Sequence, residues 1–205
     1  MEIIYEDENV RALNKPAGVD VESVNRRVHR LDKDTSGVFL TAKNEETLDF
    51  LQKQFKDRKA EKTYLALITG NIKNKQGKIE TLLGRSPGDR RKQRIFLAHE
   101  PAAIGKREAV TEYNVLESFS GYDLVEVRPK TGRKHQIRAH MAYLGHPIAG
   151  DKLYGFKGQA LPEGLARQFL HASALKITLP NGQIKEFKSE LPNDLKVCLQ
   201  KLKTS

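Results

Sequence analysis

The chain has 205 residues, of which 38% are hydrophobic, 7% aromatic and 30% charged, and its formal net charge is +10. Length and apolar content suffice for a buried core without a disulfide or metal staple, and they exclude a disordered chain. One cysteine, Cys198, excludes an internal disulfide and suits a reducing cytoplasm, while no stretch approaches the roughly 20 apolar residues of a membrane span.

In chain order, Ile3–Tyr5 and Val10–Leu13 flank the polar turn EDEN and predict a hairpin-like start. This acidic N-terminus has no apolar secretory segment, so a cytoplasmic protein is expected. Val38–Ala42 is a short apolar run, and Asn44 stands where it can cap a helix over 45–57 with Leu48, Leu51 and Phe55 on one face. Thr63–Ile68 reads as a strand stopped by Gly70. Ala109–Leu116 and Tyr122–Arg128 alternate like paired strands. Pro129–Gly132 is a turn, and His135–Leu144 a helix closed by Gly145. Asn181-Gly182 marks a tight hairpin within 177–187, and 193–202 has helical spacing. Strands with scattered helices and no regular βαβ alternation predict an α+β fold, with a mainly antiparallel mixed sheet and flanking helices. Without an internal repeat or a Ser/Gly linker, 1–205 reads as a single catalytic domain.

The positive charge is concentrated. Residues 85–107 and 128–140 each carry a net +5, which equals the whole excess. Such clustering is the footprint of a polyanion partner, although a solvated surface that aids solubility fits the first stretch equally well. The second also holds His135, His140 and Gln136, which solubility does not require.

Familiar chemical motifs fail. No Cys/His pair has zinc spacing, His135, His140 and His146 do not form HExxH, and neither a P-loop nor GxSxG is present. VHRLDKDTSG (28–37) places the carboxylate Asp32 two residues after Arg30, before a turn rich in side chains that bond back to the backbone. A nearby cation favours the ionised form that a nucleophile needs. An ordinary loop salt bridge explains the same local pattern.

The string nevertheless resembles the HRLD-x-x-TSG signature of RluA-type pseudouridine synthases, and other motifs of that family follow in order. LNKPAGV (13–19) resembles the N-terminal motif, KTYLALITG (62–70) the tyrosine motif, PKTGRKHQIRAHMAYLGHPIAGD (129–151) the basic motif and FLHASALKI (169–177) the C-terminal one. The resemblance implies the pseudouridine synthase catalytic fold and an isomerase acting on uridine in structured ribosomal or transfer RNA, presented as a stem-loop. By position it implies Asp32 as nucleophile, Tyr64 as active-site tyrosine and Arg138 as the cation that pairs with the catalytic carboxylate. Tyr64 also fits a strand aromatic in the core, and Arg138 a phosphate contact. Arg30 corresponds to the side chain that fills the gap left by a flipped nucleotide. Arg133 and Lys134 are expected on phosphates, with Lys15 also at the RNA. His29 either touches RNA or supports the loop from within, and His171 reads as structural.

Because the isomerisation is redox-neutral and adds no atoms, no cofactor and no metal are expected. A monomer is expected too, and a catalytically inactive RNA-binding protein is the alternative. Two departures bear on substrate choice. Only Val19–Val28 separates the first motif from HRLD, shorter than is usual in the family. The chain is also expected to lack the separate N-terminal RNA-binding domain that many relatives carry.

Overall fold

In the computed structural model, residues 1–204 are described, and they form ten strands and three α-helices. The chain divides into two compact units, each discontinuous in sequence.

The first unit comprises Met1–Tyr64 and Leu170–Pro192. It contains β1 (Glu2–Glu6), β2 (Val10–Lys15), β3 (Ser36–Ala42), α1 (Glu45–Lys56), the start of β4 (Glu61–Thr69), β9 (Leu170–Thr178) and β10 (Ile184–Lys188). The β1–β2 hairpin forms where the Asp7 carboxylate accepts the N–H groups of Asn9 and Val10, at 2.8 and 2.7 Å, closing the polar turn on itself. β3 is buried along its whole length, as its unbroken run of apolar and small residues requires. It lies antiparallel to β2 and parallel to β9, and β9 pairs antiparallel with β10. α1 begins where the Asn44 side chain accepts the Thr47 N–H at 2.8 Å, with Glu45 and Glu46 in the positive first turn. Leu51 and Phe55 turn its apolar face onto Val28, Leu40, Leu175 and Phe187. Gln54 adds a polar clasp, donating to and accepting from the backbone of Thr178 at 2.7 and 3.1 Å.

The second unit comprises Leu65–Phe169 and the segment from Asn193 onward. Its strands β5 (Gln76–Arg85), β6 (Gln93–Phe96), β7 (Arg107–Phe119) and β8 (Tyr122–Pro129) pair antiparallel in the order β8–β7–β5–β6. α2 (Gln136–Tyr143) packs on β6, β7 and β8, and α3 (Asn193–Lys203) ends the chain's regular structure. β5 and β6 extend the predicted strand set. β5 alternates charged and uncharged residues over Lys78–Thr81, and of the strand only Ile79, Thr81 and Leu83 are buried. No helix among the described residues is long and apolar enough to cross a membrane.

Candidate active site

The carboxylate singled out in the sequence sits on a loop fixed from behind. Asp32 is half-buried, and its carbonyl accepts the Thr35 N–H at 3.0 Å, closing a tight turn. The next carbonyl, of Lys33, accepts from the Gly18 N–H at 2.9 Å and from the Lys15 ammonium at 2.8 Å. Lys15 is fully buried and also donates to the carbonyls of Pro16 and Val19, each at 2.9 Å. Its charge is therefore spent inside the fold, tying residues 16–19 to the strand of chain that carries Asp32. The expected RNA contact by Lys15 is replaced by this internal one, because an ammonium with no exposed surface has no access to a phosphate.

The far end of the loop is held equally firmly. The fully buried His171 ring lies between the Ser36 hydroxyl and the Ser189 carbonyl, both at 3.0 Å. A carbonyl only accepts, so Nε2 carries the proton and Nδ1 accepts from Ser36. Next to it, Gly37 adopts φ +115°, and a Cβ there would stand 2.1 Å from the Ala172 carbonyl oxygen. Only glycine lets β3 approach β9 this closely.

His29 stands inside the unit. Its ring stacks on Phe55 at 5.1 Å, and Nε2 accepts the Leu40 N–H at 3.0 Å. Burial first, and the Lys62 charge second, press its pKa down to about 4. A neutral ring with an inward-facing acceptor supports the loop. Arg30, by contrast, is exposed and has one long contact with Glu22, at 3.4 Å.

Tyr64 completes the group. It packs on the cluster of Leu13, Val21, Leu31, Phe39 and Ala172, immediately beside the chain at Asp32. Burial first, and the Asp32 charge second, push its phenol above the ordinary tyrosine range. The two residues thus sense one another, and at neutral pH Tyr64 stays protonated, a ring with a hydrogen-bond donor.

In the second unit, Arg138 of α2 and Asp151 form a buried two-pronged pair: Nε and Nη2 donate to Oδ2 and Oδ1 at 2.7 and 2.9 Å. The Leu153 and Tyr154 N–H groups also donate to Asp151, at 2.9 and 3.0 Å. Burial pushes the Asp151 carboxyl up, but Arg138 and these N–H groups outweigh it and hold it below its usual value. The guanidinium lies over the Tyr154 ring at 5.1 Å, and the Tyr154 hydroxyl accepts the Gln93 N–H at 2.6 Å. Residues from both basic stretches therefore meet at Tyr154. Asp151 and Tyr154 were not singled out in the sequence. The run GHPIAGD contained the first, but nothing in a string states that a carboxylate 13 residues on will claim a particular arginine.

The turn before α2 is locked by Gln136, whose Oε1 accepts from the Thr131 hydroxyl and the Arg133 N–H at 2.7 and 2.9 Å. Its amide donates to Val110 and Thr111. His140 lies between the Thr81 and Thr111 hydroxyls at 2.9 and 2.8 Å, and burial lowers its pKa to about 4. Arg133 and Lys134, on that turn, are half-buried, and Arg133 donates to the Glu108 carbonyl at 2.8 Å. Among the described residues, no group of three or more His, Cys, Asp or Glu stands together as a metal cage.

Set against known proteins, residues 22–143 match the family described as RNA pseudouridylate synthase. The ribosomal large subunit pseudouridine synthase D of Borreliella burgdorferi is 38% identical over 226 residues, which cover 96% of this chain and 67% of that protein. The ribosomal large subunit pseudouridine synthase C of Salmonella typhimurium is 36% identical over 229 residues, covering 99% and 70%. Among solved structures, the human RNA pseudouridylate synthase domain containing 1 superposes with a TM-score of 0.83 at 28% identity, covering 96% of this chain and 86% of that one. The chain spans between 52% and 73% of the length of such curated relatives.

Proposed function

Since the chain belongs to the RNA pseudouridylate synthase family, whose members are isomerases, we propose that it converts uridine to pseudouridine in large-subunit ribosomal RNA, with Asp32 as nucleophile. The observation that carries the reading is the packing of Tyr64 on Leu13, Val21, Leu31, Phe39 and Ala172, beside the chain at Asp32, where the carboxylate's charge adds to burial in raising the phenol. A protein that only bound RNA would have no use for a carboxylate on a loop braced from behind. The choice of ribosomal over transfer RNA rests on the names of the two bacterial relatives.

The Asp32 carboxylate attacks the flipped-out uridine and forms a bond to it that is broken again before product leaves, so that the carboxylate is regenerated. The bond from C1′ to N1 breaks, the uracil turns, and C1′ bonds to C5. C5 gives up its proton and N1 gains one, so no atom is added and no electron is transferred. Tyr64 rests as a phenol, which lays an apolar ring against the uracil and offers one donor; accepting the C5 proton would first require losing its own. Arg30, with its one long contact, is free to swing into the vacated stack, where a planar guanidinium replaces the lost base contacts. The resemblance makes Arg138 the partner of the catalytic carboxylate; the carboxylate it grips in the second unit is Asp151, so its part there is to fix α2 against the turn at 151–154. Arg133 and Lys134 hold phosphates.

The test is Asp32→Ala. Pseudouridine formation in ribosomal RNA, read by chemical mapping, is expected to fall by on the order of 10³-fold or more, with RNA binding and thermal unfolding close to wild type. Conversion retained by this variant overturns the proposal.

A further inference from the structure

Beyond Arg138 and Asp151, the same segment of the second unit ends in a turn that the chemistry described above does not use. At its head stands Phe156, 55% exposed. An exposed phenylalanine is unexceptional when its backbone is loose, since it settles against whatever is near. Here the backbone is not loose. Phe156 and Gln159 close a ring of two hydrogen bonds, the Phe156 N–H to Gln159 Oε1 at 3.1 Å and the Gln159 N–H to the Phe156 carbonyl at 3.2 Å. The Gln159 amide donates in turn to the Thr69 hydroxyl. The Gly155 N–H donates to the Asp151 carbonyl at 2.8 Å, and a Cβ on Gly155 would lie 2.5 Å from that oxygen, so the chain is drawn tight just before the ring. On the far side, the Tyr122 hydroxyl holds the Ala160 carbonyl at 3.0 Å. The turn is fixed at both ends, and it presents an aromatic face to solvent.

The surroundings state what that face is for. Lys152 and Lys157 are exposed on the same turn, and five residues before Phe156 lies Asp151, the anchor of Arg138. A rigid aromatic ring flanked by cations is the arrangement that takes a nucleobase: the ring stacks, and the cations meet the adjoining phosphates. We propose that Phe156 is a stacking platform for an unpaired base of the RNA substrate, a positioning contact separate from the nucleophile and from Arg30. This rests on the reading of the chain as an RNA-modifying enzyme.

The chain contains no tryptophan, so Phe156→Trp introduces a single fluorescent reporter at the platform. Filter binding of the unaltered protein to oligo(U) and to purified ribosomal RNA comes first; absence of binding there refutes the RNA reading itself, before any variant is made. With binding established, Phe156→Trp emission is expected to be quenched by oligo(U), with the midpoint that filter binding gives and after correction against free N-acetyltryptophanamide. Phe156→Ala is expected to bind RNA about tenfold more weakly, with an unchanged melting temperature. Phe156→Leu keeps apolar area but has no π-face, so it is expected to behave like Phe156→Ala. Unquenched emission at saturating RNA, wild-type affinity in Phe156→Ala, or full rescue by Phe156→Leu each overturns the stacking proposal while leaving the Asp32 chemistry untouched.

Discussion

The Asp32 loop and the turn-and-helix segment around Arg138 solve the same problem, holding a charged side chain at a defined angle, by opposite means. Behind Asp32 the anchors act on the backbone: the Lys15 ammonium collects three carbonyls, and His171 grips Ser36. Around Arg138 the anchors act on side chains, Asp151 and Tyr154 on the guanidinium itself, and Gln136 and His140 on the helix beneath it. The hydrogen bonds that fix the Asp32 turn fall on its main chain, at the carbonyls of Asp32 and Lys33. The arginine is aimed by being tied directly. One segment is steadied through its main chain, and the other at the tip of its charged side chain.

The strongest way to break this contrast is Asp151→Ala. Arg138 is 9% exposed and Asp151 not at all, so the change strands a cation in the interior. A loss of about 3–5 kcal/mol in unfolding free energy is expected from denaturant melts. A loss below about 1 kcal/mol would mean that the pair is not the anchor of α2. Lys15→Met comes next. It keeps the length of the stem but leaves three carbonyls without their ammonium, and about 2–3 kcal/mol is the expected cost. Turnover should fall further than RNA affinity, since the loop carrying Asp32 is loosened while the phosphate contacts remain; equal loss in both would contradict the backbone-anchoring role.

The smallest effect is on pH. His29 and His140, one in each region, both titrate near 4 in the fold. The unfolded chain takes up their protons below about 6.5, while the native state stays neutral until near 4. Native stability is therefore full above 6.5 and is lost as the pH falls from 6.5 towards 4. About 2 kcal/mol per histidine is expected at most between pH 7 and 5, above the range in which carboxylates titrate. Melting temperatures of the wild type, His29→Gln and His140→Gln across that range should show the slope shrinking with each substitution. An unchanged slope in His140→Gln would show that its ring is not held neutral between the two threonines.

Much of this was legible in the string. Asn44 caps its helix and accepts from Thr47, and α1 ends within a residue of the predicted 45–57. The hairpin at Asn181-Gly182 and the paired strands either side of Gly121 stand as expected, because turn chemistry is local. β5 and β6 escaped because the alternation in β5 covers only Lys78–Thr81 before Leu82 and Leu83 break it, and β6 is four residues long. The chemistry-bearing types at 15, 32, 64 and 138 stood out by motif, whereas Asp151 did not, and Lys15 was expected at the RNA rather than inside the fold. Lys15 pairs with backbone carbonyls up to 18 residues away, and every residue has a carbonyl, so no side-chain pattern marks its partners. Burial decided its role, and burial depends on tertiary packing that a motif does not encode.

Lys15 has one more consequence. Three carbonyl oxygens at 2.8–2.9 Å around a single positive centre is the kind of cage that proteins otherwise build for a potassium ion, except that here the ion is covalently tethered to the chain. A tethered ion does not exchange with the medium. Rising salt will strip a polyanion from the exposed lysines and arginines by competition, but it has no purchase on this cage. On the proposed function, the grip on RNA and the geometry of the Asp32 loop would therefore respond to separate variables: ionic strength would set how much RNA is held and leave the shape of the loop untouched.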